Sequence, residues 1–147
     1  MLSATTKLAN VNKSGRVLGY TTLRLAIGMS MLIHGLGRMP HASEFTQATV
    51  KQFAGSPLPR FSVVAFARIT PPVETAIGLL VMFGFLTRLG LTAGGLWMVA
   101  LIFGSTLIGQ YNIVAIQLLY SLIFFHLLQH LEQNAISIDG LVHGRSK

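Results

Sequence analysis

Residues 18–38 read LGYTTLRLAIGMSMLIHGLGR. The stretch is apolar over about the ~20 residues that ~30 Å of hydrocarbon requires. It nevertheless carries Arg24 in its first half and His34 near its far end. A soluble helix would hold both on a wet face, but here Leu, Ile, Met, Gly and Ala surround them. In lipid, an ionisable group turns inward to a partner or a water-filled cavity, so partners must come from elsewhere in the chain.

Composition extends that reading to the whole chain. Of 147 residues, 52% are hydrophobic and 10% charged, where soluble domains average about 25% charged. Mean hydropathy is +0.63. The net charge of +7 would suggest nucleic acid in a soluble protein. These cations instead flank apolar segments, so they read as topology signals and no nucleic-acid partner is expected. The length suits one membrane domain. With no cysteine, the chain offers no thiolate nucleophile, disulfide or iron–sulfur ligand.

Four spans are expected, at about residues 17–36, 71–86, 89–108 and 113–131, between a basic lead-in (1–16) and a polar tail (132–147). No A-x-A cleavage site follows the first span, which reads as a retained anchor. Gly35, Gly37 and Pro40 are expected to end it. Residues 42–53 (ASEFTQATVKQF) place Phe45, Val50 and Phe53 at helical spacing, as in a short amphipathic helix on the membrane surface. The second span is expected to begin at Pro71-Pro72, since proline suits a first helical turn. Residues 61–70 would then approach it separately; one long kinked helix is the alternative. Gly90-x-x-x-Gly94 and Ser105-x-x-x-Gly109 offer close helix approach in the third span.

Short loops predict an antiparallel, all-α four-helix bundle with both termini on one side. Lys7, Lys13, Arg16, Arg88, Arg145 and Lys147 fall on that side, and Arg38, Lys51, Arg60 and Arg68 on the other. The positive-inside rule puts the termini in the cytoplasm. Counting ~1.5 Å per residue from the span ends brings His34, Glu74 and Gln117 to one depth. Tyr111, Asn112 and Arg68 lie above them. Arg24 and His126 form a second layer, with His130 one turn nearer the termini and Tyr120 between the layers.

Glu74 is the only acid within a span. It reads either as a proton-handling group with His34 or as a lock to His34 or Arg68. Arg24 either draws in an anionic or carbonyl-bearing ligand or snorkels to the nearer face. His126 and His130 have i, i+4 metal-ligand spacing but no evident third ligand, and read as a pair at the headgroup boundary. Phe83, Phe85, Trp97, Phe103, Phe124 and Phe125 read as lipid-facing or packed bundle surface.

The spacing Arg24-x(9)-His34-Gly35, the segment Glu74-x-x-x-Gly78 running on to Gly84 and Thr87-Arg88, and the tail Ile136-Ser137-Ile138-Asp139-Gly140 resemble the DoxX family of small bacterial four-helix membrane proteins. The resemblance covers nearly the whole chain. It implies the four-helix fold, a bacterial inner-membrane location and a redox connection, because one branch of that family supplies the membrane subunit of a thiosulfate:quinone oxidoreductase. The family's polar positions map onto Arg24, His34, Glu74 and Arg88.

The resulting expectation is a membrane subunit of a redox assembly, with quinone as its cofactor and other membrane subunits, or copies of itself, as partners. His34, Glu74, Gln117 and Arg24 are the candidate ligand contacts. His34 and Glu74 would handle protons. A purely structural or assembly subunit is the alternative, and a small transporter ranks last.

Overall fold

A computed structural model describes residues 2–144, and side chains from 13 to 142. The side chain of Lys7, and Arg145 and Lys147, all assigned above to the terminal side, lie outside these. Helix α1 runs Leu2–Arg38, α2 Ala42–Gln52, α3 Arg60–Phe83, α4 Thr87–Leu107, α5 Tyr111–Gln129 and α6 Ile138–Gly144, with a 3₁₀ turn at Leu131–Gln133. No strand occurs among the described residues. Lys13–Arg38, α3, α4 and α5 are long and apolar enough to cross a membrane. Helix α1 packs on α3, α3 on α4, α4 on α5, and α5 back on α1. This closes an antiparallel four-helix bundle.

The first span does not stop at its glycines. Helix α1 passes through Gly35 and Gly37 to Arg38. At Gly35, α1 and α3 come close: a methyl there would run into the Thr75 side chain and would lie 2.6 Å from the Pro71 carbonyl oxygen. Gly28 and Gly78 make the same kind of approach lower down, where added Cβ atoms would meet the backbones of Met82 and Leu32. Glycine at these contacts serves packing between helices rather than a break. Gly94 of the GxxxG pair instead receives the ring of Phe124.

The second span begins eleven residues before the expected Pro71. Helix α3 is continuous from Arg60, with both prolines inside it. Two prolines remove two backbone donors. Hydroxyls bracket the gap, since Thr70 Oγ1 donates to Phe66 O and Thr75 Oγ1 to Pro71 O, both at 2.8 Å. These hydroxyls bond carbonyls on either side of the gap, while the acceptors that the prolines leave without an i→i−4 donor are those of Ala67 and Arg68.

Because Gly35 meets Pro71, the first ten or so residues of α3 overhang the end of α1. Helix α2 packs against α3 there. It thus roofs the bundle at this end. The core below holds Tyr20, Ile27, Met31, Ile77, Val81, Leu91, Met98, Phe124 and Leu127. The outer surface is apolar, with Leu96, Phe103, Ile116, Leu119 and Phe125 each more than half exposed. Lipid, not water, suits such a surface.

Candidate functional site

Beneath α2 lies a cavity of about 260 Å³. Its polar lining includes His34 and Arg38 on α1, Thr49 and Gln52 on α2, Thr70 and Glu74 on α3, Ser105 on α4, Gln110 just before α5, and Gln117 and Tyr120 on α5. Phe45 and Phe53 close it from α2, and Phe66, Met98 and Leu101 give it an apolar wall.

The Glu74 partner is Arg38, not His34 or Arg68. The two form an ion pair, with the carboxylate buried and the guanidinium one-third exposed. Arg38 reaches it because α1 continues one turn beyond His34. Phe45 of α2 lies under the guanidinium, 5.0 Å away, so the pair is also tied to the roof. The buried indole N–H of Trp97 is directed at the Glu74 carboxyl, just outside hydrogen-bond geometry. Its ring stacks on the cavity-lining Phe66 at 4.9 Å.

His34 lines the cavity but turns its Nδ1 to the Ser30 carbonyl, at 2.7 Å. Ser30 Oγ meets the Tyr120 hydroxyl at 2.7 Å, which joins α1 to α5 on the cavity floor. The Gln117 amide N–H donates to Ser105 Oγ at 3.1 Å. That leaves Gln117 Oε1 buried with no partner. An unfilled acceptor in a polar recess is a place for a ligand hydroxyl or a water.

Arg24 stands at the other end of the bundle and does not line the cavity. It is 2% exposed. Nη1 donates to the carbonyls of Val81 and Met82 at 2.8 and 3.0 Å, and Nη2 to Ile136 at 2.8 Å. A cation therefore sits on the last carbonyls of α3, where the helix dipole favours it. Asp139 does the converse at the start of α4. Its carboxylate accepts from Leu86 N (2.9 Å), Thr87 N (2.7 Å) and Thr87 Oγ1 (2.7 Å). Between them Gly84 and Leu86 are both left-handed, with φ of 63° and 47°. The tail motif around Ser137 and Asp139 is thus a clamp on the α3–α4 turn.

The His126 and His130 rings lie against each other, tilted by 32° with centroids 4.4 Å apart. No group of three or more His, Cys, Asp or Glu able to hold a metal occurs among the described residues. The layer expected from Arg24 and His126 does not form: Arg24 binds α3 and the tail, and His126 is exposed. Of the aromatic set, Phe83, Phe85, Phe103 and Phe125 face outward, while Phe124 is core.

The DoxX family model matches residues 19–108, which is 90 of the 147 residues. The chain belongs to the DoxX family. No curated protein and no solved structure matches it. The DoxX match spans the bilayer-crossing part of α1 through the end of α4, and so includes Arg24, His34, Glu74 and Arg88. It stops before Gln117 and Tyr120. With four spanning helices, this DoxX chain is a multi-pass membrane protein whose solvent is the bilayer.

Three contacts at the cavity are not marked in the sequence: those of Arg38, Ser30 and Trp97. By sequence Arg38 reads as an outer-loop cation, because the span is expected to end at about residue 36. Its i, i+4 relation to His34 was the available signal. Ser30 carried no signal, since serine is ordinary in membrane helices. Trp97 was placed in an aromatic stripe by composition alone.

Proposed function

We propose that the cavity beneath α2 takes the polar head group of an apolar bilayer molecule, with a quinone as the best fit, and that the chain is the membrane subunit of a redox assembly in a bacterial inner membrane, both termini cytoplasmic. The observation that carries this is the meeting of an ion-paired carboxyl, an imidazole, a phenol and an unfilled amide oxygen around one recess with an apolar wall. Its size supports a head group rather than a whole ligand: 260 Å³ lies below the ~300–1,000 Å³ of pockets that enclose drug-sized molecules.

The residues divide the work by chemistry. Gln117 Oε1 accepts from a ring hydroxyl. The Tyr120 hydroxyl and the His34 imidazole orient the opposite oxygen. Glu74, released from Arg38, holds the proton that a hydroxyl gives up. Quinones supply two-electron chemistry, and the electrons would pass to or from a partner subunit.

The test is purification in gentle detergent from native membranes, with bound lipids and proteins identified by mass spectrometry. Quinone should co-purify with the wild type and be lost from Glu74→Gln and His34→Ala while the assembly stays intact. Partners without quinone, with both variants assembling normally, would make the chain a structural subunit.

A further inference from the structure

Away from this cavity, on the opposite face of α2, a second recess of about 610 Å³ separates α2 from α3. Lys51, Arg60 and Arg68 all line it. Glu44 is the only acid there, and it extends into solvent beside His41 at 3.5 Å. None of the three cations has an ion-pair or hydrogen-bond partner among the described residues.

Arg68 is the telling member. It lies eight residues into α3, ~12 Å along the helix from Arg60, within a span apolar enough to cross the membrane. Yet it is exposed, while its neighbours Ala67 and Thr70 are buried. A guanidinium on the lipid side of a spanning helix needs a counter-charge. None of the described residues supplies one, and an anionic bilayer lipid is a source within reach of this surface. The remaining lining mixes apolar Ala48, Val50 and Val64 with the polar Thr46 and Gln47, as a head group joined to acyl chains requires.

We propose that this recess binds the phosphodiester head group of an anionic bilayer phospholipid. Arg68 engages a phosphate oxygen pair from below, in the two-pronged geometry that guanidinium allows. Lys51 and Arg60 close on it from the headgroup side. Three cations against one solvated acid favour a lipid with two phosphates, such as cardiolipin, over one with a single net charge. The lipid would hold α2 from the face opposite the cavity, and the site stands whether or not quinone binds beneath.

The experiment is native mass spectrometry of the detergent-purified full chain titrated with cardiolipin, phosphatidylglycerol or phosphatidylcholine. Wild type should retain cardiolipin best and phosphatidylcholine least. Each of Arg68→Gln, Arg60→Gln and Lys51→Gln should weaken cardiolipin retention about fivefold, and the triple variant ~100-fold. Arg16→Gln, an exposed cation elsewhere, should leave it unchanged. Melting of every variant in the same detergent separates lost binding from lost fold, and a folded Arg68→Gln that keeps wild-type retention overturns the proposal. Equal retention of phosphatidylcholine overturns it too. So does full displacement of cardiolipin by millimolar inorganic phosphate, which would make the occupant a soluble anion.

Discussion

Substituting Gly78 by alanine sets two effects of known size against each other. In a helix interior alanine is favoured over glycine by ~1 kcal/mol. Against that, the new methyl would lie 2.7 Å from Leu32 Cα and 2.9 Å from the Gly28 carbonyl oxygen. Both obstacles are backbone, so no side chain can swing aside. Ordinary contact begins at 3.4 Å, so α1 and α3 must part by at least 0.7 Å. Overpacking of this kind costs about 1–3 kcal/mol, so Gly78→Ala should destabilise the bundle by up to about 2 kcal/mol. Gly28→Ala should do the same, as its methyl would lie 2.6 Å from Met82 N. The two share one gap, so the double variant should cost less than their sum. Gly19 supplies the control: it lies in α1 with nothing within 4 Å, and its alanine variant should gain up to ~1 kcal/mol. Reversible unfolding in mixed micelles measures all four. A Gly78→Ala protein as stabilised as Gly19→Ala would refute the close crossing.

Other consequences follow from the contacts at the core, the tail and the cavity floor. Phe124→Ala empties a fully buried site beside Gly94 and should cost about 3–5 kcal/mol, read as a lowered melting temperature in detergent. Asp139→Ala removes three hydrogen bonds from the start of α4 and should cost about 2 kcal/mol. Arg24→Met should release the tail at Ile136 and make it a site of early proteolysis, which intact resistance would contradict. Ser30→Ala and Tyr120→Phe break the same hydrogen bond, so a double-mutant cycle should show coupling of ~1 kcal/mol, and simple additivity would mean the bond is absent.

Hydrophobicity made the four spans legible. An 18-residue apolar run has one stable answer in a bilayer, because every backbone group must be satisfied within its own helix. Short connections then allowed only an up-and-down order. Depth was legible for a related reason: a regular rise per residue places His34, Glu74 and Gln117 near one height once the span ends are known. The start of α3 was not legible. Local rules favour proline in a first turn, whereas packing from α1 and α2 holds Pro71-Pro72 inside a continuous helix.

What the chain determined alone was therefore its solvent, its helices and the burial of Arg24 and Glu74, whereas His34 and His126 stay exposed. Which polar group meets which was decided by tertiary structure. Gly35, which reads as a helix end, became a contact between α1 and α3, and α1 runs on to Arg38 and brings that guanidinium, rather than His34, to Glu74. Arg24 and Asp139 were drawn to opposite helix termini of one turn by a tail folded back from the far end of the chain. Pairings of this kind depend on rotation about each helix axis and on contacts many residues apart. Periodicity within a single span carries no information about either.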